Sequence, residues 1–326
     1  MSLVLLLFCL YLRCYSVLAM ANGVSVLNAA DYPFSVMITK PVMCGGALIS
    51  LDPPWILTAA HCISNFTSGL PDRTVNAVGY GSTNISHLKY ASILKAVPHP
   101  RYNTQLDPNT LPSQDDRDSH TMHYDIGLVQ LTKPILAGPG VDRIALWGST
   151  EPDPDWESSL LTIGMGYIGL DKIQAKTLQK ASCDIVASSI SKTYSPSIQE
   201  NVYLTTSPAS LCHGDSGSPL IGTNEKDPGR FFLVGILNRI LNAHDPNPSK
   251  ATCPVPNGDP AVVYNAFAKG VVHLEWIMNV TQLSVADLTQ HKPVGSYSLT
   301  LSSGSHHLLF SPVFSIIIVS LLLWVL

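Results

Sequence analysis

Charge is scarce in this chain. Of 326 residues, 19 are basic and 23 acidic, so 13% are charged, against about 25% in an average soluble domain. No basic run exceeds a pair, which argues against a nucleic-acid partner. Cys-x-x-Cys pairs and Cys/His clusters of zinc-ligand spacing are missing, so no metal site and no cofactor are expected. The 22 Gly and 24 Pro follow no period, which excludes a collagen-like chain. Apolar surface, by contrast, is plentiful. Hydrophobic residues make up 46% and mean hydropathy is +0.21, enough to build a core and exclude disorder throughout.

Both ends contribute to that excess. Residues 1–21 read as a signal peptide: an apolar run opens at Leu3, and Ala19-Met20-Ala21 fits the small-x-small cleavage rule, with the mature chain starting near Asn22. At the other end, Leu308 to Leu326 carries no charge. Small residues precede it, at Ser302-Ser303-Gly304-Ser305 and at Gly295-Ser296. A small-residue site followed by an apolar tail is the pattern of a GPI attachment signal, with a tail helix retained in the membrane as the alternative. Residues 306–326 are therefore expected to tether the protein to the extracellular face of the cell surface. The Ser/Thr-rich residues 282–305 read as a stalk. Three sequons, at Asn65, Asn84 and Asn279, fit a secretory route and are candidate glycosylation sites. Five cysteines remain after signal removal: Cys44, Cys62, Cys183, Cys212 and Cys253. An odd number leaves one unpaired or bonded between chains.

Between these ends, short apolar runs alternate with Gly, Pro and Asn punctuation. Examples are Phe34 to Ile38, Trp55 to Thr58, Ile126 to Leu131, Leu160 to Ile163, Leu178 to Val186, Phe231 to Leu237 and Ala261 to Tyr264. Such a series indicates an all-β sandwich or barrel. Residues 103–123 are polar and aperiodic and read as a long surface loop. Phe267, Val271, Leu274 and Met278 recur at helical intervals, which predicts one amphipathic helix from Phe267 to Met278.

Three segments carry chemistry: Thr58-Ala59-Ala60-His61-Cys62 preceded by Cys44-Gly45-Gly46; Asp125-Ile126-Gly127-Leu128-Val129; and Cys212-His213-Gly214-Asp215-Ser216-Gly217-Ser218-Pro219. Taken singly, each fits a turn or a packed polar residue. Their combination fits a nucleophile with its base. A serine hydroxyl is a poor nucleophile at neutral pH and needs a base within hydrogen-bond reach, for which imidazole has the right proton affinity. A carboxylate must hold that imidazole in one tautomer and stabilise its cation. Glycines beside the serine let backbone N–H groups face an oxyanion. The order His, Asp, Ser, with Ser218 instead of glycine in the fifth position of Gly214-Asp215-Ser216-Gly217-Ser218, does not match the Gly-x-Ser-x-Gly elbow and Ser, Asp, His order of a lipase or esterase.

On these segments the chain resembles the chymotrypsin/trypsin family of serine proteases, from about Tyr32 to Met278. Gly164-Met165-Gly166, Leu178 to Ser182, Val234-Gly235-Ile236 and Trp276 are further shared landmarks. The resemblance implies two six-stranded antiparallel β-barrels with a C-terminal helix, as lobes over residues 22–140 and 141–281. It implies His61 as general base, Asp125 as its orienting group and Ser216 as nucleophile. The N–H groups of Gly214 and Ser216 would form the oxyanion hole. Disulfides Cys44–Cys62 and Cys212–Cys253 are implied, leaving Cys183 as a buried free thiol. A further family bridge, between positions near Leu160 and Gly222, is absent. Peptide or protein substrates and a monomeric state follow from the same resemblance.

The chain also departs from that pattern. Family members are activated by cleavage after a basic residue, and the freed ammonium pairs with the Asp before the nucleophile, here Asp215. Before Lys40 the only basic residue is Arg13, so activity after signal removal, without a further cut, is expected. Asn238-Arg239-Ile240 stands where Ser-Trp-Gly is usual, with Asn238 able to hydrogen-bond Asp125. Ser210 falls at the base of the primary pocket, and Val262 or Ala261 is expected to face Ile240. No carboxylate sits at that base, so preference for small apolar residues before the scissile bond is expected instead of Arg or Lys.

Overall fold

The computed structural model describes residues 20, 23–64, 76–102, 122–148, 160–168, 173–187, 201–209, 211–224, 227–242 and 263–290, the side chains of 76, 224, 227–230 and 242 excepted. Six strands close the first barrel: β2 (Ser35–Ile38), β3 (Cys44–Leu51), β4 (Pro54–Thr58), β5 (Asn76–Tyr80), β6 (Lys89–Pro98) and β7 (Gly127–Leu131), in the order β2-β3-β4-β7-β6-β5 with β5 returning to β2. A short β1 (Val24–Ser25) precedes them. Every residue of β4, and all but the last of β3, is buried. That is why these strands read as continuous apolar runs: one face fills the barrel and the other is covered. Each fully buried Leu or Ile contributes about 1.5–3 kcal/mol.

The second barrel uses β9 (Leu160–Gly164), β12 (Gln179–Ile185), β13 (Val202–Thr206), β14 (Pro219–Asn224), β15 (Asp227–Asn242) and β16 (Val263–Lys269). They run β12-β13-β16-β15-β14-β9, and β9 pairs back onto β12 to close the ring. The edge strand β1 adds to β12, β8 (Ala145–Leu146) joins β15 in parallel, and β10 (Tyr167–Ile168) pairs with β11 (Ile173–Gln174). Leu160 lies directly opposite Gly222, where the missing family bridge would stand. One core cluster crosses the seam: Ile163, Met165, Ile221, Leu233 and Ile236 pack with residues of the first barrel.

The expected helix from Phe267 to Met278 is shorter than its periodicity suggested. Phe267 and Ala268 belong to β16, which bonds β13 on one side and β15 on the other. A 3-10 turn, Val271–His273, follows, and the helix α1 covers Leu274–Thr281. Both faces of β16 are buried, so strand alternation is erased and an apolar run can mimic either period. The start of the expected stalk is also built differently. Residues Val285–Thr289 form a helix, α2, opened by a capping box between Ser284 and Asp287, with Leu288 fully buried. The remaining stalk, the signal segment except Met20, the C-terminal tail and most of the 103–123 loop lie outside the described residues. Among the described residues no helix is long and apolar enough to cross a membrane.

Candidate active site

His61 stands just past the end of β4. The buried strand delivers the chain into a tight turn, in which Cys62 and Ile63 donate to the Ala59 and Ala60 carbonyls. Disulfide Cys44–Cys62 ties that turn to β3, and the Thr58 hydroxyl donates to the Gly45 carbonyl at 2.8 Å. Asp125 precedes β7, the neighbour of β4, and is only 4% exposed. Its two oxygens divide the work. Oδ1 accepts the His61 backbone N–H at 2.9 Å, and Oδ2 accepts from His61 Nδ1 at 2.7 Å. This clamp places the ring proton on Nδ1 and leaves Nε2 as an acceptor.

Ser216 arrives from the second barrel, in the turn leading to β14. Gly214 (φ +91°) and Gly217 (φ +82°) flank it in the left-handed region that glycine tolerates. A Cβ at 217 would collide with the Thr58 hydroxyl and the Gly45 carbonyl. Backbone bonds fix the turn: Gly45 donates to the Ser216 carbonyl (2.7 Å), Gly217 to Leu237 (2.7 Å) and Asp215 to Cys212 (2.9 Å). Among the described residues, the N–H groups of Gly214 and Ser216 have no acceptor, and no hydrogen bond joins the Ser216 hydroxyl to the His61 ring. Cys62 Sγ lies 3.6 Å from His61 Nε2 and 3.7 Å from the Ser216 carbonyl oxygen, so the three elements meet at the seam. Cys44, His61 and Cys62 place donor atoms close together, but both sulfurs are spent in the disulfide and offer no thiolate.

Asn238 differs from expectation. Its amide nitrogen donates to the Met122 carbonyl at 2.5 Å, not to Asp125. The side chain thus braces the segment leading into Asp125, while its own Oδ1 is buried with no partner among the described residues. Arg239 and Ile240, expected to form the substrate wall, are half-buried on β15. Ile240 pairs with Asn265, a residue the sequence reading missed. Asn265 is 3% exposed, while Ala261 and Val262, expected to face Ile240, lie outside the described residues. Ser210, Val262, Cys253 and Asn65 lie outside the described residues, while Cys212 does take part in a disulfide. Cys183 is buried and unpaired, its thiol pushed up to about 12 by burial. Asn279 is exposed on α1, and Asn84, partly exposed, caps a 3-10 turn through Oδ1.

A model of the protein family described as Trypsin matches residues 22–258. The chain belongs to the trypsin family. Relatives of this trypsin-family chain include transmembrane protease serine 9 of Rattus norvegicus (27% identical over 220 residues, 64% of this chain and 18% of the rat protein). Serine protease SP24D of Anopheles gambiae is 26% identical over 68% of this chain and 71% of its own length. Venom peptide isomerase heavy chain of Agelenopsis aperta is 30% identical over 66% and 87%. The chain thus spans under a fifth of the rat relative.

Asp215 is fully buried between Gly164 and Gly166 and, among the described residues, receives only the N–H groups of Gly166 (2.8 Å) and Cys212 (3.0 Å). Burial raises its pKa from 3.8 to about 7, against the pull of those two bonds. Beside Tyr124 and His99, burial lowers the His273 pKa from 6.5 to about 4. The two groups act with opposite signs. The folded state holds Asp215's proton between about 3.8 and 7, so this group removes stability as pH rises through that window. The unfolded state protonates His273 first, so that group removes stability as pH falls from about 6.5 to 4. Between about pH 4 and 6.5 the two contributions therefore oppose each other. Asp215→Asn in the chain retaining Met20 should expose the His273 slope, giving an acid-side drop in thermal midpoint steeper than the parent's. Equal pH profiles for the two proteins would contradict this assignment.

Proposed function

We propose that this chain is a serine endopeptidase of the secretory pathway that works through His61, Asp125 and Ser216. The observation that carries the reading is the double hydrogen bond of Asp125 to His61, set against a glycine-flanked Ser216 turn whose Gly214 and Ser216 N–H groups are free to receive an oxyanion. In this mechanism Nε2 takes the Ser216 proton as Oγ attacks the scissile carbonyl, and Asp125 stabilises the imidazolium. The two N–H groups hold the developing oxyanion, and the imidazolium then protonates the leaving amine. Water repeats the sequence on the acyl-enzyme. Peptides and proteins are the substrates.

Ile240 supports a shortened primary pocket. Small side chains such as Ala, Val or Ser are the preferred residues before the scissile bond. A peptide library should show them enriched, and a profile dominated by Arg, Lys or Phe would refute this. Met20 is buried beside Gly164, next to Asp215. Removal of the signal segment in that neighbourhood would supply an ammonium for this carboxylate without a tryptic cut. The apolar C-terminal segment tethers the protein to the cell surface. Release by phospholipase C identifies a GPI anchor, and retention identifies a membrane-held tail.

A fluorophosphonate probe tests the activity. The secreted protein should label at Ser216 without prior trypsin treatment. A catalytically silent binding module is the alternative, favoured by the absence of a Ser216–His61 bond and of any cation at Asp215 among the described residues. Absence of labelling before and after trypsin would establish it.

A further inference from the structure

Four of the seven methionines gather around the nucleophile's turn. Met20 approaches Gly164 beside Asp215, Met37 and Met165 line a small cavity with Gly164 and Gly214, and Met43 lies on Gly214 itself. A Cβ at residue 214 would run into the Met43 Cε methyl, so the end of this thioether covers the Gly214 backbone. Exposure separates the four. Met20, Met37 and Met165 are 1%, 6% and 7% exposed, whereas Met43 is only half-buried, behind the exposed Pro41 and Val42. An oxidant in solvent therefore meets Met43 before the others.

We propose that Met43 is an oxidation site through which hydrogen peroxide suppresses the active site. The proposal rests on the reading of Gly214 and Ser216 as oxyanion donors. A sulfur lone pair attacks one peroxide oxygen, the S–O bond forms and the O–O bond breaks. Sulfur loses two electrons, and the departing hydroxide takes up the displaced proton as water. The apolar thioether becomes a sulfoxide, whose oxygen is a strong hydrogen-bond acceptor. It is created against a glycine whose N–H has no acceptor among the described residues. The sulfoxide competes with the substrate oxyanion for that donor and adds bulk where the turn has no room. Because sulfoxide reductases reverse the reaction, the effect is a switch.

The experiment treats the full secreted chain with graded hydrogen peroxide. Peptide mass mapping follows sulfoxide at each methionine, and fluorophosphonate labelling follows Ser216. Met43 should oxidise before Met278, which is also half-buried but sits on α1. The labelling rate should fall in step by about 100-fold, the scale of losing one oxyanion donor, and recover with methionine sulfoxide reductase. Met43→Leu, compared with its own untreated rate, should keep that rate under peroxide. Oxidation of Met43 no faster than Met278, full Met43 oxidation with unchanged labelling, or equal peroxide sensitivity in Met43→Leu would each overturn the proposal. Failure of the untreated chain to label would instead remove the active-site reading, and the order of oxidation in the peptide map alone would then decide whether Met43 is a modification site.

Discussion

Asp125→Asn should lower kcat/KM by about 10⁴-fold, the loss expected when the orienting group of a serine-protease triad becomes neutral with its geometry kept. The clamp on His61 dictates how the loss arises. One oxygen of residue 125 accepts the His61 backbone N–H at 2.9 Å, and that donor cannot turn away. An asparagine must keep its oxygen there, which puts its NH₂ where Oδ2 now meets Nδ1 at 2.7 Å. The amide then donates to Nδ1, and the ring proton moves to Nε2. An imidazole protonated on Nε2 cannot take the Ser216 proton. Thermal unfolding of the variant should match the parent within about 1 kcal/mol, since a near-isosteric group keeps both hydrogen bonds. A kcat/KM within tenfold of the parent would show that Asp125 does not set the tautomer.

Ser216→Ala should be more severe, with kcat reduced by about 10⁶-fold and probe labelling abolished. The backbone of the turn should survive, because its bonds to Gly45, Leu237 and Cys212 use main-chain atoms only. The oxyanion donors therefore remain, and residual hydrolysis about 10³-fold above the water rate is expected. Adding His61→Ala should cost almost nothing further, because a base without its nucleophile has nothing to activate. Multiplicative losses in the double variant would mean that the two residues act in separate steps.

The parts of the site that the sequence displays are those fixed by residue type. His61, Asp125 and Ser216 stand in segments whose glycines and apolar neighbours announce strand ends and turns. Backbone register is far less visible. Asn265 faces Ile240 because β15 shifts register between Leu237 and Arg239, and a bulge of that kind leaves no trace in hydrophobic alternation. Side-chain reach is equally hidden: Asn238 is long enough for Asp125, yet its amide donates to the Met122 carbonyl. The helix α2 did carry a signal, in Ser284-x-x-Asp287 ahead of Leu288, but the Ser/Thr content of the segment masked it. Closure of the barrels depends on pairings such as Gln179 with Gly164, between residues whose partners no local pattern names.

The Cys62 sulfur touches both the His61 ring and the Ser216 backbone, which couples the geometry of the site to the redox state of the compartment where the chain folds. In a reducing compartment the Cys44–Cys62 bridge would not form, and the His61 turn would keep only the β3–β4 ladder and the Thr58–Gly45 bond as its ties to β3. A copy folded there would hold every residue of the constellation yet lack the crosslink that joins the His61 turn to Cys44.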